Sequence, residues 1–422
     1  MSGSTMRSTA GLGPGETSFR GVPRIVRELT NALHAARLSY CHWKGNARLS
    51  EAVVGLRDLD ILVDRDAALA LSEILATVGF KRLASSPWEV VPALEDYLAL
   101  DSDTGRLVHL HLHYRLTVGD SVLGGYRLPW EALVLSTRHF DTTMAMYVAD
   151  PHMELLLLIA RKAISLGPID RIAGWLGRPC MGALARSDVR WLASRTDPHR
   201  LADLSEGLLG KEATRLLLGM VNGEPSYRLL RALKRRATPP LSAYRTYTPA
   251  GAVVRRGIRF VVGLAVALNR RILRSLVIPG RTLPSGGLVI VFEGEDENER
   301  ATLVDRIAAW LTWKLDVLVL RGGGAQRRKA FRARSRGMIV LYDGSPEGGQ
   351  SLDTGTGPER AWDPDLPDLV INLRRAPRPG PEGQTEVLTR EGRPNRRNVD
   401  IDPDHSSEQV LLAIQRALWQ EV

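Results

Sequence analysis

Cysteine is nearly absent: the 422-residue chain has two, Cys41 and Cys180. Two thiols cannot build a disulfide framework or a multi-cysteine zinc site, and such sparing use fits a reducing compartment. Long apolar runs are missing as well. No stretch reaches the roughly 18 residues that a bilayer-spanning helix needs. Residues 1–20 are polar, with no apolar block that could serve as a signal sequence. The expectation is a cytoplasmic protein with a disordered tail over 1–20. Internal repeats are lacking too. Acidic residues are missing from one region: between Pro225 and Arg281 there are thirteen Arg and Lys and no Asp or Glu. That segment exceeds the whole net charge of +10, so the remainder is slightly acidic. The basic character is therefore local, and no specific nucleic-acid partner is expected.

What is present is an ordinary globular composition, long enough for two or three domains. Residues 21–150 mix the two periodicities. A helical spacing of apolar residues over about 23–36 precedes a short strand at 40–43 and a short helix at 46–54. An apolar strand at 58–63, a helix at 67–78 and a hairpin of 97–101 with 107–112 follow, the hairpin turning at Ser102-Asp103-Thr104-Gly105. Residues 151–224 lack strand signals and read as a helical extension opened by Asp150-Pro151. Residues 225–285 form a basic linker. From 286 onward strands at 288–294, 317–320, 338–341 and 369–373 alternate with helices from about 301 and from 407. That pattern predicts a doubly wound parallel sheet, with 376–384 as a surface loop. The fold class is α/β throughout.

The candidate chemistry is WKGN at 43–46 followed by RDLDILV at 57–63. Residues two apart in a strand share a face, so Asp58 and Asp60 present paired carboxylates suited to a divalent ion. Gly45-Asn46 opens a helix whose N–H groups can hold phosphates, and Lys44 adds a cation. His109, His111 and His113 alternate on one strand, which describes either a metal-binding face or solvent-exposed histidines. A glycine loop about a dozen residues before D-x-D on the next strand resembles the signature of the nucleotidyltransferase fold, over Tyr40 to Leu116. The resemblance implies that Asp58 and Asp60 bind magnesium and that Gly45 and Asn46 face the phosphates of a nucleoside triphosphate. It puts His111 where the third aspartate of that family stands. There it could ligate a metal, accept a hydroxyl proton or mark loss of activity.

The chain from Gly287 resembles a thymidylate-kinase-like P-loop domain, through LVIVFEG, ATLVDRIAAWL, IVLYDGSP and PDLVINLRRAP. Its phosphate loop is altered. Gly294 stands at the first glycine, but Glu299 takes the second glycine's place, Arg300 the lysine's and Ala301 that of the metal-binding hydroxyl. Gly344 follows Asp343 where the family has arginine. Five carboxylates between 293 and 299 repel an anion, so kinase activity is not expected.

Between the domains, residues 252–277 place Arg255, Arg256, Arg259, Arg270, Arg271 and Arg274 on one helical face and most large aliphatics on the other. Such a helix either lies on an anionic membrane surface or packs its apolar face on the following domain. Fusions of these two fold types resemble proteins encoded near surface-polysaccharide genes, which implies a sugar or lipid-linked acceptor. The competing expectation is a non-catalytic regulatory or scaffold protein.

Overall fold

Alternation of side chains sets the two faces of the N-terminal sheet. In the strands Leu59–Val63, Leu94–Asp101 and Arg106–His113, Leu59, Ile61, Tyr97, Leu110 and Leu112 turn to one side. They form a core with Leu29 and Leu33 of the helix Arg24–Ala35 and Leu71 and Leu75 of the helix Ala68–Val78. The opposite face then receives Asp58, Asp60, Asp96 and the three histidines. The computed structural model describes residues 21–422 apart from 86–90, 92, 120–123, several positions within 168–178, 224, 269–280, 322–325, 345–366, 375–387 and 392–396. The expected tail at 1–20 and surface loop at 376–384 lie outside the described residues. In order, this sheet runs Arg281–Thr282, Lys81–Ser85, Leu94–Asp101, Arg106–His113, Leu59–Val63, Tyr40–His42, Met146–Val148 and His139–Asp141. The hairpin is longer than its sequence signal, because it continues in register to Leu94 and His113.

Two bodies cover the ends of the polar face. At one end Cys41, Trp43 and Leu62 share a core with a layer of helices that includes Pro151–Ser165, Ala183–Ala193, Pro198–Leu209, Lys211–Val221 and Tyr227–Leu241. The first part of the basic segment thus packs into the helical layer through Leu230, Leu233 and Leu241. At the other end Leu83, Leu98, Leu100 and Leu107 share a core with Ile290, Phe292 and Ile307 of the C-terminal unit. Burying one such side chain stabilises by about 1.5–3 kcal/mol relative to exposure, so this contact holds the C-terminal unit firmly on the sheet. Trp310 Nε1 adds a hydrogen bond to the Gly105 carbonyl at 2.9 Å across the same seam.

The C-terminal sheet runs Val317–Arg321, Ile339–Asp343, Leu288–Gly294, Leu369–Leu373, Arg397–Ile401 and Leu388–Glu391. The first five are parallel and the last is antiparallel. The first strand in the chain lies inside the sheet, and a ligand in such a sheet binds beyond the strand ends at this reversal of order. Here that place is filled by the chain itself. The helix Glu297–Thr312 begins two residues after the strand, four residues earlier than the apolar pattern predicts. The Asp296 carboxylate causes the early start by accepting hydrogen bonds from Asn298 N and Glu299 N at 2.9 and 3.1 Å. Arg300 turns back to the Gly294 carbonyl at 2.7 Å and to Asp343 at 2.6 Å. The helix N-terminus and the cation are both already satisfied by the chain. Among the described residues, Arg300→Ala would leave the buried Asp343 with only the more distant Arg321. Denaturant titration is expected to show a loss of about 3 kcal/mol, the scale for stripping one partner from a buried ion pair.

Candidate functional site: an aspartate and histidine cluster between the two bodies

Strand register builds the centre of the site. Asp60 pairs with His111 on the parallel neighbour, and His111 pairs with Asp96 on the antiparallel one. The three form one row across three strands, all on the face left open between the helical layer and the C-terminal unit. Asp58, His109 and His113 stand two residues to either side. His111 Nδ1 lies 3.2 Å from Asp60 and its Nε2 3.0 Å from Asp96. His113 Nε2 is 3.1 Å from Asp60, and His109 Nδ1 is 2.7 Å from Asp58. The histidines are not the exposed strand residues that sequence allowed: His109 and His113 are buried, and His111 is largely so. Asp101 stays at the hairpin turn, where it binds Thr104 and takes no part.

Two lysines reach the carboxylates, one from the loop after the strand Tyr40–His42 and one from the C-terminal unit. Lys44 Nζ is 2.9 Å from Asp60, and Lys314, just past the C-terminal unit's helix Glu297–Thr312, contacts Asp58. Burial opposes ionisation of Asp58, but His109, His111 and Lys314 outweigh it and hold that carboxyl below its usual range. Asp60, nearly enclosed, is likewise held well down by Lys44, His111 and His113. Burial pushes His113 down to about 4, so its imidazole is neutral at pH 7. His111 goes the other way, because Asp60, Asp96 and Asp58 overcome its burial and raise it.

The donor set fits a divalent ion. Asp58, His109 and His111 offer ligand atoms within 4.8 Å of one another, as do Asp60, His111 and His113. Asp96 Oδ1, His109 Nε2 and His111 Nε2 are buried and out of line for hydrogen bonds, although the two nitrogens lie 3.2 and 3.0 Å from that oxygen. Donors bound to an ion at about 2.0–2.2 Å stand roughly 3 Å apart, so these spacings match a ligand set. Imidazole donors beside carboxylates suit zinc or manganese better than magnesium, which prefers oxygen ligands alone. Lys314→Met removes one competing positive charge from Asp58. Calorimetry with manganese is expected to show about tenfold tighter binding than the intact chain, given one charge at close range in a partly screened cleft.

The glycine loop carries an unexpected occupant. Gly45 adopts φ 78°, a left-handed conformation that glycine tolerates, and so turns its own N–H and that of Asn46 toward one point. At that point sits the Glu154 carboxylate, accepting from Gly45 N at 2.7 Å, Asn46 N at 3.0 Å and Asn46 Nδ2 at 2.7 Å. Burial pushes the Glu154 carboxyl up to about 7 even against these donors. Arg161, two turns along the same helix, stacks on Trp43 with its Nε buried and unbonded.

Two clefts flank the cluster and meet at Trp313 and Lys314. One, of about 350 Å³, runs from Gly45 past Asp58 and Asp60 to Arg161. The other, of about 890 Å³, lies between Arg82, Asp96, His111 and Arg281. Sequence reasoning brought Asp58, Asp60, His111, Lys44, Gly45 and Asn46 to one place, and they are there. It missed Asp96, Glu154 and Lys314.

No family model matches this chain, and no curated protein does. Among solved structures, the antibiotic-resistance factor ANT(2'')-Ia is similar at 11% identity and a TM-score of 0.26, over 43% of this chain and 88% of that one. JHP933 from Helicobacter pylori is similar at 12% identity and a TM-score of 0.21, over 52% of this chain and 90% of that one. Likeness this distant fixes neither fold nor function.

Proposed function

We propose that the cluster is a metal-dependent nucleotidyltransferase-like site, and that the C-terminal unit is a kinase-like domain without kinase activity that completes it. The row Asp60–His111–Asp96 with Asp58 beside it, open to a cleft on each side, carries this reading. Asp58 and Asp60 would hold the cation, magnesium or a softer divalent ion, with imidazole nitrogens alongside. A divalent ion bound there supplies charge to phosphate oxygens and favours loss of the acceptor's proton. In the smaller cleft Lys44, Lys314 and Arg161 face a nucleoside triphosphate, with Gly45 and Asn46 at its phosphates. In the larger cleft an acceptor hydroxyl or phosphate, on a sugar or lipid-linked molecule, would approach His111. The acceptor oxygen bonds to the α-phosphorus, the bond to the β-phosphate oxygen breaks, and pyrophosphate leaves. A hydroxyl proton leaves to water in the larger cleft, because both ring nitrogens of His111 already face Asp60 and Asp96.

One observation favours a second reading. Glu154 already fills the phosphate loop and two lysines already neutralise the aspartates, as a regulatory or scaffold protein that binds no nucleotide would have them. Calorimetry of the intact chain with a nucleoside triphosphate and manganese or magnesium separates the two. Metal-dependent binding supports the transferase, and its absence at every divalent ion overturns it.

A further inference from the structure

The helix Pro249–Leu268 leaves its apolar face in water. Val253, Ile258, Phe260, Val261 and Leu264 are each 58–71% exposed. At 100° per residue these five fall within an arc of about 160°, and Arg255, Arg256 and Arg259 occupy the opposite side. Among the described residues of this helix the apolar arc is bare and does not pack on the following domain. Arg270, Arg271 and Arg274, which the sequence placed on the same helix, lie outside the described residues. A bare arc of this size on a helix of about 30 Å calls for a cover.

Charge selects the cover. The helix has no acidic residue, and the neighbouring Tyr227–Leu241 exposes Arg228, Arg231, Arg235 and Arg236. A second copy of the chain would bring the same cations onto these. An anionic surface would be drawn in by all of them. No helix among the described residues is long and apolar enough to cross a membrane. We propose that this helix lies in the headgroup plane of an anionic phospholipid bilayer, apolar arc inward and arginines at phosphate level. This inference is independent of whether the cleft transfers nucleotides.

Flotation of the full chain with phosphatidylglycerol/phosphatidylcholine vesicles tests it. Binding is expected with the anionic vesicles, with little to phosphatidylcholine alone, and release as salt rises. The triple change Arg255→Gln, Arg256→Gln, Arg259→Gln should lower partitioning roughly a hundredfold, from about 1 kcal/mol per surface arginine. Phe260→Glu with Val261→Glu should abolish it, and the thermal melt should stay in place because neither side chain belongs to a core. No binding, or equal binding to neutral and anionic vesicles, overturns the proposal. So does a dimer lost on Phe260→Glu in a chain that ignores vesicles, which would mark the arc as an interface between copies.

Discussion

Replacing Asp58 and Asp60 together by alanine is expected to weaken manganese binding by at least roughly a hundredfold, beyond the 10–100-fold typical of losing a supporting group around a metal. The change removes the only two carboxylates that sequence assigned to the ion, and leaves Asp96 alone among three imidazoles. It also leaves Lys44 and Lys314 facing the site without the carboxylates they pair with, a field that repels cations further. Two readouts distinguish lost ligands from a damaged fold. His111, held up by Asp60, Asp96 and Asp58, should titrate at lower pH in the variant, a shift visible by NMR. The acid limb of stability should flatten as well. Both carboxyls are depressed in the folded chain, so they contribute stability above the ordinary carboxylate range that is lost as pH falls through their folded values. Without them the fall at low pH should be shallower. Manganese binding unchanged in the double variant would overturn the assignment of these two ligands.

Much of this site can be read before any coordinates, and the missed parts divide by cause. Asp58, Asp60 and His111 follow from period-two alternation on strands whose apolar halves are plain. Asp96 was available too. The turn Ser102–Gly105 fixes Asp101 opposite Arg106, and the same register carried five residues further puts Asp96 opposite His111. Reading the hairpin as starting at Tyr97 stopped one residue short of it. Glu154 was half legible: with Leu158 and Arg161 it follows the spacing i, i+4, i+7, so a lone carboxylate shares a face with a leucine and an arginine, and all three line the smaller cleft. Lys314 had no sequence signal. It lies 256 residues from Asp58 in the chain, and only the docking of Leu98, Leu100 and Leu107 against the C-terminal core brings the two together. The altered loop at 294–301 was legible as hostile to phosphate, but its replacement by an aspartate cap and an inward arginine was a matter of three-dimensional geometry.

Glu154→Ala is expected to tighten binding of inorganic tripolyphosphate by about tenfold or more at pH 8, the scale of removing one buried competing charge. The carboxylate spans the N–H groups that an anion needs, so the intact loop binds phosphate only by displacing it. Alanine leaves three donors, Gly45 N, Asn46 N and Asn46 Nδ2, beside the under-bonded Arg161. Proton uptake offers the intact chain a milder release. With the Glu154 carboxyl raised to about 7, lowering pH from 8 to 6 neutralises it. Tripolyphosphate affinity should therefore rise over that interval in the intact chain, and this part of the slope should vanish in Glu154→Ala. Stability runs the same way. A carboxyl raised on folding contributes stability that is full below about 4.5 and is lost as pH rises through about 7. Glu154→Gln, which cannot ionise, should be flatter over that window. If Glu154→Ala binds tripolyphosphate no better and keeps the full pH slope, the loop is a structural clasp and not a phosphate site, and the scaffold reading gains. If the variant binds tightly and also releases pyrophosphate from a nucleoside triphosphate with manganese, Glu154 is the plug of a working transferase.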